Sequence, residues 1–200
     1  MRRCAWCGAD HLTLDDRYRD EQASLDQAIA DALAEGQRSL AKRLSKGPGG
    51  QHVVFSSEAT NLVAGDSNGK KDVFVRDLEH GETIRANLSS SGEQANEDSY
   101  YPGISEDGRF VCFASSASNL VDGDTNEMPD IFVRDLAQGK TALVSSAPGG
   151  VAADGGSYWP VISGNGRYIA FVSEARNLIP GGIGNADVTQ VYLAPNPLLQ

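Results

Sequence analysis

The sequence predicts an all-β repeat protein preceded by one amphipathic α-helix, and three observations carry that expectation. Segments of the chain recur at a fixed shift of 58 residues, and a period of this size marks a repeat architecture. The 22 glycines in 200 residues exceed the usual share of about 7%, as expected of many tight turns between short elements. The recurring runs are β-branched and aromatic, the residue types that fill half-buried strands.

The amino-terminal 46 residues form a different module. Met1-Arg2-Arg3 has the charge of a signal-peptide start, but no apolar stretch of the required length follows it. The chain as written is therefore expected in the cytoplasm, and in the periplasm or secreted if it is a piece of a longer precursor. Three cysteines, Cys4, Cys7 and Cys112, cannot build a paired disulfide framework, which fits a reducing compartment. From Arg19 to Leu44 the residues Leu25, Ile29, Ala32, Leu33, Leu40 and Leu44 recur at helical spacing. Asp20 and Glu21 at one end, with Arg38, Lys42, Arg43 and Lys46 at the other, complement a helix dipole. Gly47-Pro48-Gly49-Gly50 ends that helix and is read as a linker.

The repeat occupies residues 51–200, with units at 51–95, 96–153 and 154–194. Tyr101-Pro102-Gly103-Ile104-Ser105-Glu106-Asp107-Gly108-Arg109-Phe110 returns as Trp159-Pro160-Val161-Ile162-Ser163-Gly164-Asn165-Gly166-Arg167-Tyr168. Asp72-Val73-Phe74-Val75-Arg76-Asp77-Leu78 returns as Asp130-Ile131-Phe132-Val133-Arg134-Asp135-Leu136. In the third copy a two-residue insertion places Gln190-Val191-Tyr192-Leu193 on the matching strand. Within a unit, Pro102 to Ser105, Arg109 to Ser115, Asp130 to Asp135 and Lys140 to Ser145 read as strands, with turns at Asp107-Gly108 and Gln138-Gly139. Four antiparallel strands make one propeller blade. The expected fold is thus a partial β-propeller of about 2.5 to 3 four-stranded blades.

The run Ile-Ser-Glu-Asp-Gly-Arg-Phe-Val-Cys-Phe over 104–113, with its partner over 162–171, resembles the Ser-Pro-Asp-Gly-Arg-x-Ile-Ala-Phe signature of TolB-like, WD-like β-propeller repeats. The two Asp-[Val/Ile]-Phe-Val-Arg-Asp-Leu runs resemble that family's second strand signature, and the resemblance covers about residues 50–194. It implies a blade fold found in periplasmic and secreted binding proteins that dock protein partners. The same blades serve as accessory domains of oligopeptidases and some polysaccharide lyases. Propellers typically close with four to eight blades. Here the first unit lacks the Tyr-Pro-x-Ile-Ser strand and the third reaches Pro195-Asn196-Pro197 before a fourth strand. A fragment, an open arc capped by the amino-terminal helix, or a ring completed by a second copy would each account for this. Exposed strand edges favour association, so a homo-oligomer is expected.

Three groups of residues are candidates for chemistry. Asp66, Asn68 and Asp72, and again Asp124, Asn126 and Asp130, stand at positions 1, 3 and 7 of a loop and could offer oxygen ligands to calcium. Lys71 and Pro129 occupy the place of the EF-hand glycine, and the plainer reading is that these side chains cap turns and strand starts. Cys4, Cys7 and His11, with Asp10, suggest half a zinc site, whereas structural zinc needs four ligands. Tyr100, Tyr101, Tyr158 and Trp159 could line a ligand-binding face for peptide or sugar, or fill the space between blades.

The charge narrows the partners. Formal net charge is −10, and residues 1–46 carry eight basic and eight acidic side chains, so the repeat region holds all of the excess. Such a field repels phosphate backbones, and no nucleic-acid partner is expected. No apolar run approaches the roughly 18 residues of a membrane span. No phosphate loop or His-Glu-x-x-His motif is present, and His11, His52 and His80 are scattered. The sequence therefore points to a non-catalytic binding or scaffold module. The alternatives are an accessory part of a hydrolase, peptidase or polysaccharide lyase, and a calcium-binding repeat protein.

Overall fold

The computed structural model describes residues 45–46, 51–182 and 189–199. Cys4, Cys7, His11, the helix expected over 19–44 and the linker over 47–50 lie outside the described residues.

The described chain forms three antiparallel sheets. The first contains β1 (Ser45–Lys46), β2 (His52–Ser57), β3 (Asp72–Asp77) and β4 (Glu82–Arg85) in that order. The second contains β5 (Ser99–Ile104), β6 (Phe110–Ser115), β7 (Asp130–Asp135) and β8 (Lys140–Leu143). The third contains β9 (Ser157–Ile162), β10 (Tyr168–Ser173) and β11 (Gln190–Pro195), and a 3-10 turn at Pro197–Leu199 follows it. The bounds of β2, β6 and β10 repeat at the 58-residue shift read from the sequence, and β11 sits two residues further on, as the insertion requires. The sheets are propeller blades, and β5 of the middle blade approaches both β1 and β9.

One expectation needs correction. The sequence predicts that the first unit lacks the Tyr-Pro-x-Ile-Ser strand, yet that strand position is filled. Ser45 pairs with Val54 and Lys46 with Val53, the register that Gly103 and Ile104 take against Cys112 and Val111. Ser45 and Lys46 precede those residues by 58 positions. Ladder bonds are made by backbone N–H and C=O groups, so this strand does not need the motif's side chains. Lys46 therefore belongs to the first blade and not to the basic end of a helix.

Burial follows from the period of two along each central strand. On β6, Val111 and Phe113 face the first blade, where they join Val54, Val73 and Val75 together with Ile104, Leu120 and Phe132. Cys112 and Ala114 face the third blade, with Ile131 and Val133 against Ile162, Ile169 and Phe171. Both faces of the middle blade are thus buried, and each fully buried aliphatic or Phe side chain contributes on the order of 1.5–3 kcal/mol.

The Asp-Gly-Arg turn shows why its glycine recurs. Gly108 has φ 72° and Gly166 has φ 69°, in the left-handed region that glycine enters without strain. A Cβ on Gly108 would stand 2.7 Å from His52 Nδ1, and one on Gly166 would stand 2.6 Å from Phe110 Cδ2. His52 and Phe110 are themselves 58 residues apart. Each turn is where the preceding blade's second strand presses in.

Candidate functional site

The inner strands β5 and β9 begin alike, with Ser99-Tyr100-Tyr101-Pro102 and Ser157-Tyr158-Trp159-Pro160. Pro cannot donate to the ladder, and both strands are bulged there, the pairing shifting between Tyr100 and Gly103 and between Ala170 and Val172. At the bulges Tyr101 has φ 54° and Trp159 has φ 52°. A bulky side chain in this conformation is an outlier costing about 1–3 kcal/mol, and such strain gathers at functional sites.

The four predicted aromatic residues come together. Tyr100 and Tyr101 meet edge to face with ring centroids 5.1 Å apart, Tyr101 lies 6.2 Å from Trp159, and Trp159 lies 6.1 Å from Tyr158. The two readings of this group divide by residue. Tyr100 and Tyr101 pack on the cluster between the second and third blades, and the Tyr100 hydroxyl lies 3.2 Å from Ser116 Oγ. Burial raises the Tyr100 and Tyr158 phenols above their ordinary pKa. Trp159 is 52% exposed. The result is a continuous aromatic surface, anchored by Tyr100 and open at Trp159, on which a planar or apolar ligand face can stack.

The two acidic loops are brought into matching places with different chemistry. In the first blade, Arg85 Nη2 lies 3.0 Å from Asp66 Oδ1 and Arg85 Nη1 lies 3.5 Å from Asp72 Oδ2, all three side chains being buried. Burial pushes the Asp66 carboxyl up, and Arg85 opposes that shift. In the second blade Leu143 occupies the position of Arg85, so Asp124 and Asp130 are buried without that guanidinium. Burial pushes Asp130 up to about 6, opposed by hydrogen bonds from Ser145 and Asn126, while the neighbouring Asp124 adds to the rise.

The asparagines act as turn caps. Asn68 Nδ2 donates to Asp72 Oδ1 and to the Ala95 carbonyl, each at 3.0 Å, while Asn68 Oδ1 accepts from the Lys70 N–H. Asn126 repeats this with Asp130, the Ala153 carbonyl and the Met128 N–H. Each amide turns its donor toward the carboxylate and its oxygen toward the backbone, an orientation that holds the loop. Among the described residues, no group of three or more His, Cys, Asp and Glu side chains is placed to hold a metal ion.

Two features escaped the sequence reading. Asn119 and Asn177 clip neighbouring blades together. Asn119 donates to the Gln94 carbonyl and accepts from the Asn96 N–H, and Asn177 does the same with the Ala152 carbonyl and the Asp154 N–H. Their recurrence at the 58-residue shift was a visible signal. A cleft of about 480 Å³ between the first two blades is lined by His52, Asp77, Glu82, Asp107 and Arg109. Its walls carry both signs of charge, Arg109 Nη2 donating to Asp135 Oδ2 at 2.7 Å and His80 Nδ1 lying 2.7 Å from Asp77 Oδ2.

No protein-family model matches the sequence, and no curated protein sequence matches it. Solved structures do. The chain is similar to TolB from Acinetobacter baumannii, with TM-score 0.45 and 17% identity over 76% of this chain and 29% of that one. It is also similar to a TolB from Agrobacterium tumefaciens, with TM-score 0.48 and 16% identity over 79% and 46%. The β-propeller domain of the trilobed protease from Pyrococcus furiosus gives TM-score 0.46 and 12% identity over 79% and 40%. The chain thus spans less than half the length of each. These structures are β-propellers, the architecture that the three sheets show independently. Among the described residues, no helix is long and apolar enough to cross a membrane.

Proposed function

We propose that this chain is a non-catalytic binding module, a short arc of TolB-like blades whose inner aromatic surface receives a protein, peptide or sugar ligand. The single observation that supports this is the exposed Trp159 ring, 52% accessible, at the open end of a continuous aromatic surface with Tyr101 and Tyr158. Titration calorimetry against panels of peptides and oligosaccharides tests it. Trp159→Ala is expected to weaken binding of any ligand found by tenfold or more, the scale of an exposed aromatic hot spot. An unchanged affinity would remove the aromatic surface from the account. Turnover of a peptide or acidic polysaccharide by the chain would instead support the rival class, an accessory propeller of a peptidase or lyase.

A second reading is favoured by one observation, the exchange of Arg85 for Leu143 beside otherwise matching carboxylates. In this reading a calcium ion offsets Asp124 and Asp130 in the second blade, as Arg85 offsets Asp66 and Asp72 in the first. Calcium is then expected to raise the melting temperature of the chain, and Asp124→Asn to abolish that rise. Calorimetry showing neither heat nor a thermal shift rejects it.

A further inference from the structure

Among the described residues the third blade has no strand on the outer edge of β11. In the first two blades the third strand is flanked by a fourth, β3 by β4 and β7 by β8. Among the described residues β11 pairs with β10 alone. Val191 stands at the register of Val73 and Ile131, since each pairs with the matching residue of the second strand in its blade, Val172, Ser56 and Ala114 respectively. Ile131 and Val133 are fully buried, whereas Val191 is 77% and Leu193 is 70% exposed.

The backbone polarity of this edge follows from the same register. The Ile131 carbonyl accepts from the Val144 N–H at 2.7 Å and its N–H donates to Ser145 Oγ at 2.9 Å. The Val73 carbonyl likewise accepts from the Ala86 N–H, and its N–H donates to Asn87 Oδ1. At this position the polar groups point outward, away from the second strand. With a period of two, Val191 and Leu193 both present N–H and C=O on the open side of β11. Such an edge is a template for another strand.

We propose that two copies of this chain join through β11, edge to edge and antiparallel, about a twofold axis at Tyr192. This register sets Val191 of each copy opposite Leu193 of the other. Both residues carry outward N–H and C=O groups, so two hydrogen-bonded pairs form and give four backbone hydrogen bonds. The same pairing brings the exposed Val191 and Leu193 side chains of the two copies together on one face. A C2 contact requires a surface that complements itself, and this strand meets that requirement in charge as well. Gln190-Val191-Tyr192-Leu193-Ala194-Pro195 has no ionisable group except a phenol, whereas β3 and β7 each carry two Asp and one Arg. A chain of net charge −10 repels its own copies, and β11 is a charge-free strip where they can approach.

The inference stands apart from the ligand reading, because the aromatic surface lies on the inner strands β5 and β9 and the contact lies on the far edge of the third blade. Light scattering and sedimentation on the full chain at 1–100 μM, concentrations roughly spanning those of weak and firm protein dimers, test it. The wild type is expected to reach twice its 21.2 kDa mass. Leu193→Lys, at an exposed side chain, is expected to give a monomer with unchanged circular dichroism and melting cooperativity. Ile84→Lys on the exposed face of β4 should leave the dimer intact. Oxidised mixtures of Val191→Cys and Leu193→Cys chains should crosslink between those two positions, the link being mapped by mass spectrometry. A monomer throughout the concentration range, a dimer that survives Leu193→Lys, or a mixture that fails to crosslink overturns the proposal.

Discussion

Arg85 is the residue on which the first blade's loop chemistry turns. Its guanidinium lies between the buried Asp66 and Asp72 carboxylates, and removing one partner of a buried ion pair strands the charge that remains. Arg85→Leu, which copies the second blade, is therefore expected to lower stability by about 3–5 kcal/mol, measured by urea unfolding at pH 7.5. A loss under about 1 kcal/mol, typical of an exposed pair, would show that the buried geometry is not what holds the loop. The contrast with Leu143 was present in the sequence at the 58-residue shift. It was not legible as chemistry, because β4 and the acidic loop are separated along the chain and only folding reveals that they meet. The left-handed backbone at Tyr101 and Trp159 was hidden for a similar reason. Residue type marks aromatic strands, but the bulge that turns Trp159 outward depends on where Pro160 interrupts the ladder.

At the scale of elements, the side-chain pattern predicted strands well wherever both faces are packed. β6 and β7 have alternating residues that each meet a neighbouring blade, so their composition repeats and their bounds were readable. β1 was not. It is two residues long, is held by pairing with Val53 and Val54, and owes nothing to a side-chain motif. The turn glycines belong to this scale, since they decide how closely blades approach. Gly166→Ala must both enter a left-handed conformation and displace the Phe110 ring. It is expected to cost on the order of 1–3 kcal/mol. By contrast Gly92→Ala, at φ 88° with no atom within 4 Å of its added Cβ, bears only the backbone penalty. Thermal melts of the two variants compare the terms directly, and equal losses would deny that the interblade contact matters.

For the whole molecule, the repeat makes each blade the partner of the next, so stability is shared between neighbours and the ends are special. The middle blade is buried on both faces, while the third presents Val191 and Leu193 to solvent. The acidic excess is confined to the repeat region, and β11 carries no charged side chain. The inner strands converge, and that convergence assembles Tyr100, Tyr101, Tyr158 and Trp159 from two blades into one surface. The most direct measurement of the central claim is the indole N–H resonance of Trp159, assigned by comparison with Trp159→Phe, during titration with peptide and oligosaccharide panels. A ligand that binds the chain should shift this resonance in step with its binding isotherm. A bound ligand that leaves the Trp159 resonance in place would contradict the assignment of the inner aromatic surface as the binding site.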